Sequence, residues 1–268
     1  MNMITMQTLR ELKQRGEKIA VVTAYDASFT QHVEQAGVEV ILVGDSLGMV
    51  VQGHDTTIPV TVDEMVYHTN LVSRARKKSL LIADLPYRSY LSKEQALENA
   101  LRLMNESGAD MIKLEGGGEF VAIAGHLIQH GIPVCGHLGL LPQSVEELGG
   151  YKVQGREQSA ANKMIEDAQA LAKVGVEMIV LECIPQQLAK RLQNEVGIIT
   201  IGIGAGPDCS GQVLVLYDLL GITPGKRPKF SKDFLVGLEG EKSITDAIKA
   251  YVVAVKNLDF PAEEHSFN

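Results

Sequence analysis

Cysteine is scarce in this chain. Cys135, Cys183 and Cys209 are the only three, widely spaced and without a C-x-x-C pair. An odd, scattered set excludes a disulfide framework and a structural zinc site, and it fits a reducing cytoplasm. Basic runs are absent too: 25 Lys and Arg stand against 33 Asp and Glu, a net charge of −8. Phosphate backbones find no landing strip, so nucleic acid is excluded as a partner. The longest charge-free stretches, such as 196–207, are broken by glycine and fall short of the roughly 20 apolar residues a membrane span needs. The first residues meet charges from Arg10 onward and carry no leader-like apolar core, so the expectation is a protein that is not exported. His126 and His130 lack an H-E-x-x-H context and read as a helix surface.

What is present is a rhythm. Eight short apolar runs recur: IAVVTA from 19, VILVG from 40, LLIAD from 80, MIKLE from 111, PVCGH from 133, MIVLE from 178, IITIGIG from 198 and VLVLY from 213. Runs of this length, apolar at successive positions, suit strands covered on both faces. Helical patterns lie between them. TVDE (61–64) and SKEQ (92–95) are capping boxes, and Gly108, Gly131 and Gly175 fall where helices end before the next strand. Strand and helix alternating eight times, closed by a helix over 243–257, predict an α/β fold of one domain, a (β/α)8 TIM barrel spanning 1–268 with a short N-terminal helix. No dinucleotide fingerprint supports an open doubly wound sheet. GITPGK at 221 is one residue short of a phosphate loop. The two longest excursions, 45–60 and 138–158, both follow a strand and precede a helix, which places them on the C-terminal face of a barrel.

ADMIKLEGGG (109–118) sets two charges in an apolar strand. Side chains alternate, so Lys113 and Glu115 share the face opposite Ile112 and Leu114; with helices outside, the charged pair points into the barrel near its mouth. Unpaired charges there cost several kcal/mol each, so partners are required. Asp45, Asp84, His137, Glu182 and Asp208 follow or end other strands at matching positions. Carboxylates without thiolates suit a hard cation such as Mg²⁺, which leaves positions for the carboxylate and carbonyl of a 2-oxo acid. Glu182, flanked by Leu181, Cys183 and Ile184, is placed to act as a base whose proton affinity an apolar wall raises; Lys113 and His137 would hold the substrate carboxylate. Tyr25 and Asp26 either line the pocket or cap a helix, and Cys183 faces the helices by alternation.

The segments TAYDAS (23–28), VGDSLGMVVQGHDTTIPVTVDEMVYHT (43–69), ADLPY (83–87), IKLEGG (112–117), VCGHLGLLPQSV (134–145), GGYKVQGR (149–156), LECIP (181–185) and IGIGAGPDCSGQVLV (201–215) resemble the ketopantoate hydroxymethyltransferase family, over almost the whole chain. The resemblance implies Mg²⁺ on Asp45, Asp84 and Glu115, and a keto acid contacting Ser46, Lys113 and His137 as well as Asp45 and Asp84. It implies Glu182 as the base that removes the C3 proton of 2-oxoisovalerate, 5,10-methylenetetrahydrofolate as the one-carbon co-substrate, and a cytoplasmic homo-oligomer, often a decamer. The chain departs from the family at Tyr87, Arg88 and Ser210, positions expected at pocket edges or folate contacts. Two other readings are a Mg²⁺-dependent oxo-acid lyase or mutase of the phosphoenolpyruvate mutase and isocitrate lyase type, although no cysteine-bearing active-site loop is found, and a metabolite-binding barrel without turnover.

Overall fold

The computed structural model describes residues 3–145, 149–225, 227–236, 238 and 243–268. Glu146 to Leu148 of the second excursion and Lys226 of GITPGK therefore lie outside the described residues. Eight parallel strands close into a barrel in chain order. They are β1 Ile19–Thr23, β2 Val40–Val43, β3 Leu80–Asp84, β4 Met111–Glu115, β5 Val134–Gly139, β6 Met178–Glu182, β7 Ile199–Ile203 and β8 Gly211–Leu214. The helices, in the same order, are α1 Met6–Gln14, α2 Ala27–Ala36, α3 Leu47–Val50, α4 Val62–Ala75, α5 Lys93–Asn105, α6 Phe120–Gln129, α7 Gln158–Lys173, α8 Gln186–Glu195, α9 Leu216–Leu219 and α10 Ile244–Lys256.

Alternation along each strand divides the apolar residues into two cores. Ala20, Val22, Ile41, Val43, Leu81, Ile112, Leu114, Ile179 and Leu181 face outward into the helix layer. Ile19, Val21, Val40, Leu42, Leu80, Ile82, Met111, Met178, Ile199 and Val213 fill the interior. Each such aliphatic side chain gains about 1.5–3 kcal/mol by leaving water. Helix α1 closes the floor: Leu9 and Leu12 join the interior cluster, and Lys13 Nζ donates to the Gly197 carbonyl at 2.8 Å and to that of Ile198. The N-cap hydroxyl of Thr5 and its reciprocal bond with Thr8 fix where α1 begins. At the seam between first and last strands, the buried Tyr251 hydroxyl of α10 reaches the carbonyls of Val21 at 3.1 Å and Gln212 at 2.8 Å.

Thr61 and Glu64 form the expected capping box, whereas Ser92 caps α5 but Gln95 turns to the Leu91 amide instead. The last strand corrects the sequence reading. The run from 213 to 217 predicts strand there, yet β8 starts at Gly211 and Leu216 already begins α9. A Cβ at Gly211 would stand 2.3 Å from the Ile19 carbonyl oxygen, so barrel closure demands glycine where the pattern shows a loop residue.

Candidate active site

Asp84 and Lys113 are register partners across β3 and β4, as Glu115 and His137 are across β4 and β5. Parallel neighbours at one height point the same way, so these four side chains meet inside the mouth, all buried. Lys113 Nζ donates to Asp84 Oδ1 at 2.6 Å, and the Asp45 amide donates to Asp84 Oδ2 at 3.1 Å. His137 Nδ1 lies 3.1 Å from Glu115 Oε1, and its Nε2 lies 3.3 Å from Glu182 Oε2 without the alignment of a hydrogen bond. Strand β5 passes so close to β6 that a Cβ on Gly139 would come within 2.1 Å of the Glu182 carbonyl oxygen. Gly139 adopts φ +101° there, and the Leu140 amide bonds that same carbonyl at 2.8 Å, which fixes Glu182 at the rim.

These groups share one cavity of about 860 Å³. Asp45, Ser46, Asp84, Lys113, Glu115, His137 and Glu182 all line it, and so do Met49, His54 and Thr57 of the first excursion and Leu140, Pro142 and Tyr151 of the second. A shallower depression beside Lys229 and Glu263 holds no comparable cluster.

One residue that the sequence reading missed ties the cluster together. Gln143, buried in the 3-10 turn Pro142–Ser144, donates from Nε2 to Asp45 Oδ2 at 2.8 Å and to the Leu85 carbonyl at 2.9 Å. Its amide donates to Glu115 Oε2 at 3.1 Å, and its Oε1 accepts from the Tyr90 hydroxyl at 2.6 Å. The available signal was a polar side chain in an otherwise apolar LGLLPQ run directly after His137.

Other expectations are corrected. Asp208 does not join the site: it is half-exposed in the β7–β8 turn with Lys190 at 3.7 Å, off the cavity wall, past Gly204 and Gly206 whose φ of +62° and +79° turn the chain after β7. Cys183 does not face the helices. Its φ of +47° breaks the alternation just past β6 and turns it onto the cavity wall, while burial raises the thiol well above its usual range and keeps it protonated. Asp26 is the N-cap of α2, accepting from the Phe29 amide, and Tyr25 is buried with its hydroxyl 2.8 Å from Ser46 Oγ. Tyr87, Arg88 and Ser210 lie off the described cavity wall; Ser210 instead bonds Gln193 at 2.9 Å behind β7. His126 of α6 and His130 at its C-cap form a surface pair with ring centroids 4.3 Å apart.

Electrostatics set the protonation states. Burial opposes charging of His137, but the Glu115 charge and hydrogen bond, with Glu182 beyond, outweigh it and hold its pKa up to about 9. Glu115 is correspondingly lowered, its burial overcome by His137 and Lys113. Burial, then the charges of Asp84 and Glu115, raise Asp45 well above the carboxylate range. Asp84 is raised by burial despite Lys113. Four carboxylates thus face one ammonium and one imidazolium.

Among the described residues no three His, Cys, Asp or Glu side chains already converge as ligands around one point. The oxygens of Asp45, Asp84 and Glu115 are held instead by Gln143, Lys113 and His137. The donor chemistry nevertheless fits a hard divalent cation: buried carboxylate oxygens, no thiolate ligand, and burial together with the neighbouring carboxylate charges of Asp84 and Glu115 pushing Asp45 toward protonation.

A family model for ketopantoate hydroxymethyltransferase matches residues 3–263. A 3-methyl-2-oxobutanoate hydroxymethyltransferase of Alkalilimnicola ehrlichii is 55% identical over 264 residues, covering 98% of this chain and 94% of that one. Its namesake in Nitrosococcus oceani is 53% identical over 267 residues, with 100% of both chains covered. Among solved structures, 2,3-dimethylmalate lyase, a member of the PEP mutase/isocitrate lyase superfamily, aligns with a TM-score of 0.62 at 16% identity over 97% of this chain and 96% of its own. Phosphonopyruvate hydrolase aligns with a TM-score of 0.62 at 13% identity over 82% and 84%. At those identities the likeness to the two structures is one of fold.

Proposed function

The chain belongs to the ketopantoate hydroxymethyltransferase family, and from that premise we propose that it joins the one-carbon unit of 5,10-methylenetetrahydrofolate to C3 of 2-oxoisovalerate, yielding ketopantoate and tetrahydrofolate. The observation that carries this reading is the convergence of Asp45, Asp84, Lys113, Glu115, His137 and Glu182 on one cavity. Asp45, Asp84 and Glu115 would hold Mg²⁺. When bound there, the cation supplies Lewis-acid polarisation of the keto carbonyl.

The chain's own groups do the rest. Lys113 and the His137 imidazolium, whose Nε2 lacks an aligned acceptor, offer N–H donors to the keto acid's carboxylate and orient it. Ser46, braced by Tyr25, stands beside them. Glu182, at the rim and less buried than the rest, accepts the proton from C3. The electron pair left on C3 forms the new C–C bond to the methylene carbon and a water oxygen forms its C–O bond; the two folate nitrogens that held this carbon each retain the pair of a broken C–N bond and each take one proton, one from C3 by way of Glu182 and one from the water. Val180, Ile203 and Val213 keep bulk water from the carbanion. A general base in such a position contributes about 10²–10⁴-fold to the rate.

The same reading carries a place in pantothenate synthesis, a cytoplasmic location and a homo-oligomer, with the decamer implied by family resemblance. Among the described residues no helix is long and apolar enough to cross a membrane. The test is NMR of 2-oxoisovalerate in D₂O with protein and Mg²⁺, followed by addition of the folate. Loss of the C3 proton signal and then appearance of ketopantoate is the expected result; neither event occurring overturns the proposal.

A further inference from the structure

The cavity exceeds what a five-carbon keto acid occupies, and its wall past Glu182 is built by β7, β8 and the chain that follows them. That wall is largely apolar, with Ile203, Val213, Pro224, Phe230 and Phe267, yet it carries one carboxylate, Asp218 in α9. Asp218 is only 6% exposed, and its Oδ1 has no hydrogen-bond partner among the described residues. Thr223 Oγ1, on the same wall, is unpartnered too. The nearby Arg227 is bonded to Asp233 at 3.1 Å. Burial raises the Asp218 carboxyl; the neighbouring Thr223 hydroxyl, close by but short of hydrogen-bond geometry, and the Arg227 charge act against that rise without supplying an aligned donor. A buried acceptor left without a donor costs about 1–3 kcal/mol, so this one is best accounted for by a donor that arrives from the cavity.

The keto acid is not that donor. It has no N–H group, and its carboxylate is repelled by another carboxylate while Lys113 and His137 attract it across the cavity. The required ligand is flat enough to lie between apolar walls and carries adjacent, parallel N–H donors on one edge. A 2-amino-4-oxopyrimidine edge has that form: its ring N–H and amino N–H match the two carboxylate oxygens as a guanidinium does. We propose that Asp218 is the specificity residue for the one-carbon donor, its carboxylate receiving the paired N–H edge of the pterin, with the Thr223 hydroxyl beside it. The assignment rests on the hydroxymethyl-transfer reading and names where its second substrate is recognised.

Asp218→Asn keeps the size of the side chain and removes one of the two acceptors. Steady-state kinetics on the full-length variant should show KM for methylenetetrahydrofolate raised about 10- to 100-fold, as expected for losing a charge-assisted pair. Its Mg²⁺-dependent C3 exchange of 2-oxoisovalerate in D₂O, a step that needs no folate, should stay within about threefold of wild type, since no contact to the keto acid is removed. As a second probe, a methylenetetrahydrofolate analogue lacking the 2-amino group should be a poorer substrate for wild type by a similar factor and should lose that handicap in Asp218→Asn. An unchanged folate KM in the variant overturns the assignment, as does wild-type indifference to the missing amino group. A variant that loses exchange and folate turnover together, with a lowered melting temperature, also overturns it by making Asp218 a structural residue. Wild-type protein that neither exchanges nor forms product overturns the hydroxymethyl-transfer reading itself.

Discussion

The floor and the mouth of this barrel are lined by the same strands, two or four residues apart, yet they are chemically opposite. At the floor, Leu9 and Leu12 of α1 join Leu80, Met111, Cys135 and Met178 of β3 to β6 in an apolar plug. At the mouth, β3 to β6 carry Asp84, Lys113, Glu115, His137 and Glu182 in their last residues, with charges that are buried and partly mispaired. The floor holds the strands at a radius where the mouth's side chains meet, and its hydrophobic gain offsets the desolvation of those charges. Stability and chemistry are thus divided along the barrel axis, as alternation in a closed parallel sheet permits.

The contrast can be broken from either end. The largest effect is expected at the mouth: if Glu182 takes the C3 proton as proposed, Glu182→Gln should suppress C3 exchange by about 10²–10⁴-fold while moving the urea unfolding midpoint little, because Glu182 sits at the rim. At the floor, Leu9→Ala should lower stability by about 2–5 kcal/mol through the cavity it leaves, with exchange per folded molecule preserved. Equal loss of activity in the Leu9 variant at temperatures where it is folded would contradict the division. Between the two sits Gln143→Leu, which strips the donor from Asp45 Oδ2 and the acceptor from the Tyr90 hydroxyl. About 1–3 kcal/mol of stability should go with it, read by urea titration in chelator.

The smallest effect is one of pH. His137 is raised from 6.5 to about 9 in the fold, so its stabilisation is fully present below about pH 6.5 and is lost as pH climbs through about 9. In chelator, the unfolding midpoint should therefore fall between pH 7 and pH 9.5, and His137→Gln should flatten that slope. A slope unchanged in the variant would assign the loss to another group.

The barrel was legible because both its periods are simple: apolar runs of strand length and amphipathic helices with readable caps. The charged cluster was legible because a lysine and a glutamate two apart in an apolar strand have no bland place to go. What escaped depended on contacts between distant segments. Gly211 starts a strand only because Ile19 presses against it, Cys183 reaches the cavity only through a left-handed backbone, and Asp208 leaves the site because the chain bends away after β7. Gln143 carries no charge and no periodicity; only the fold brings its amide to Asp45.

The central claim is that the mouth's carboxylates form one cation site. Titration of the protein with Mn²⁺ in the presence of 2-oxoisovalerate, followed by electron paramagnetic resonance, counts that site directly. Wild type and Glu182→Gln should each bind one ion per chain, and Asp84→Asn and Glu115→Gln should bind it at least about tenfold more weakly. Variants of Asp84 and Glu115 that titrate as wild type does would contradict the account.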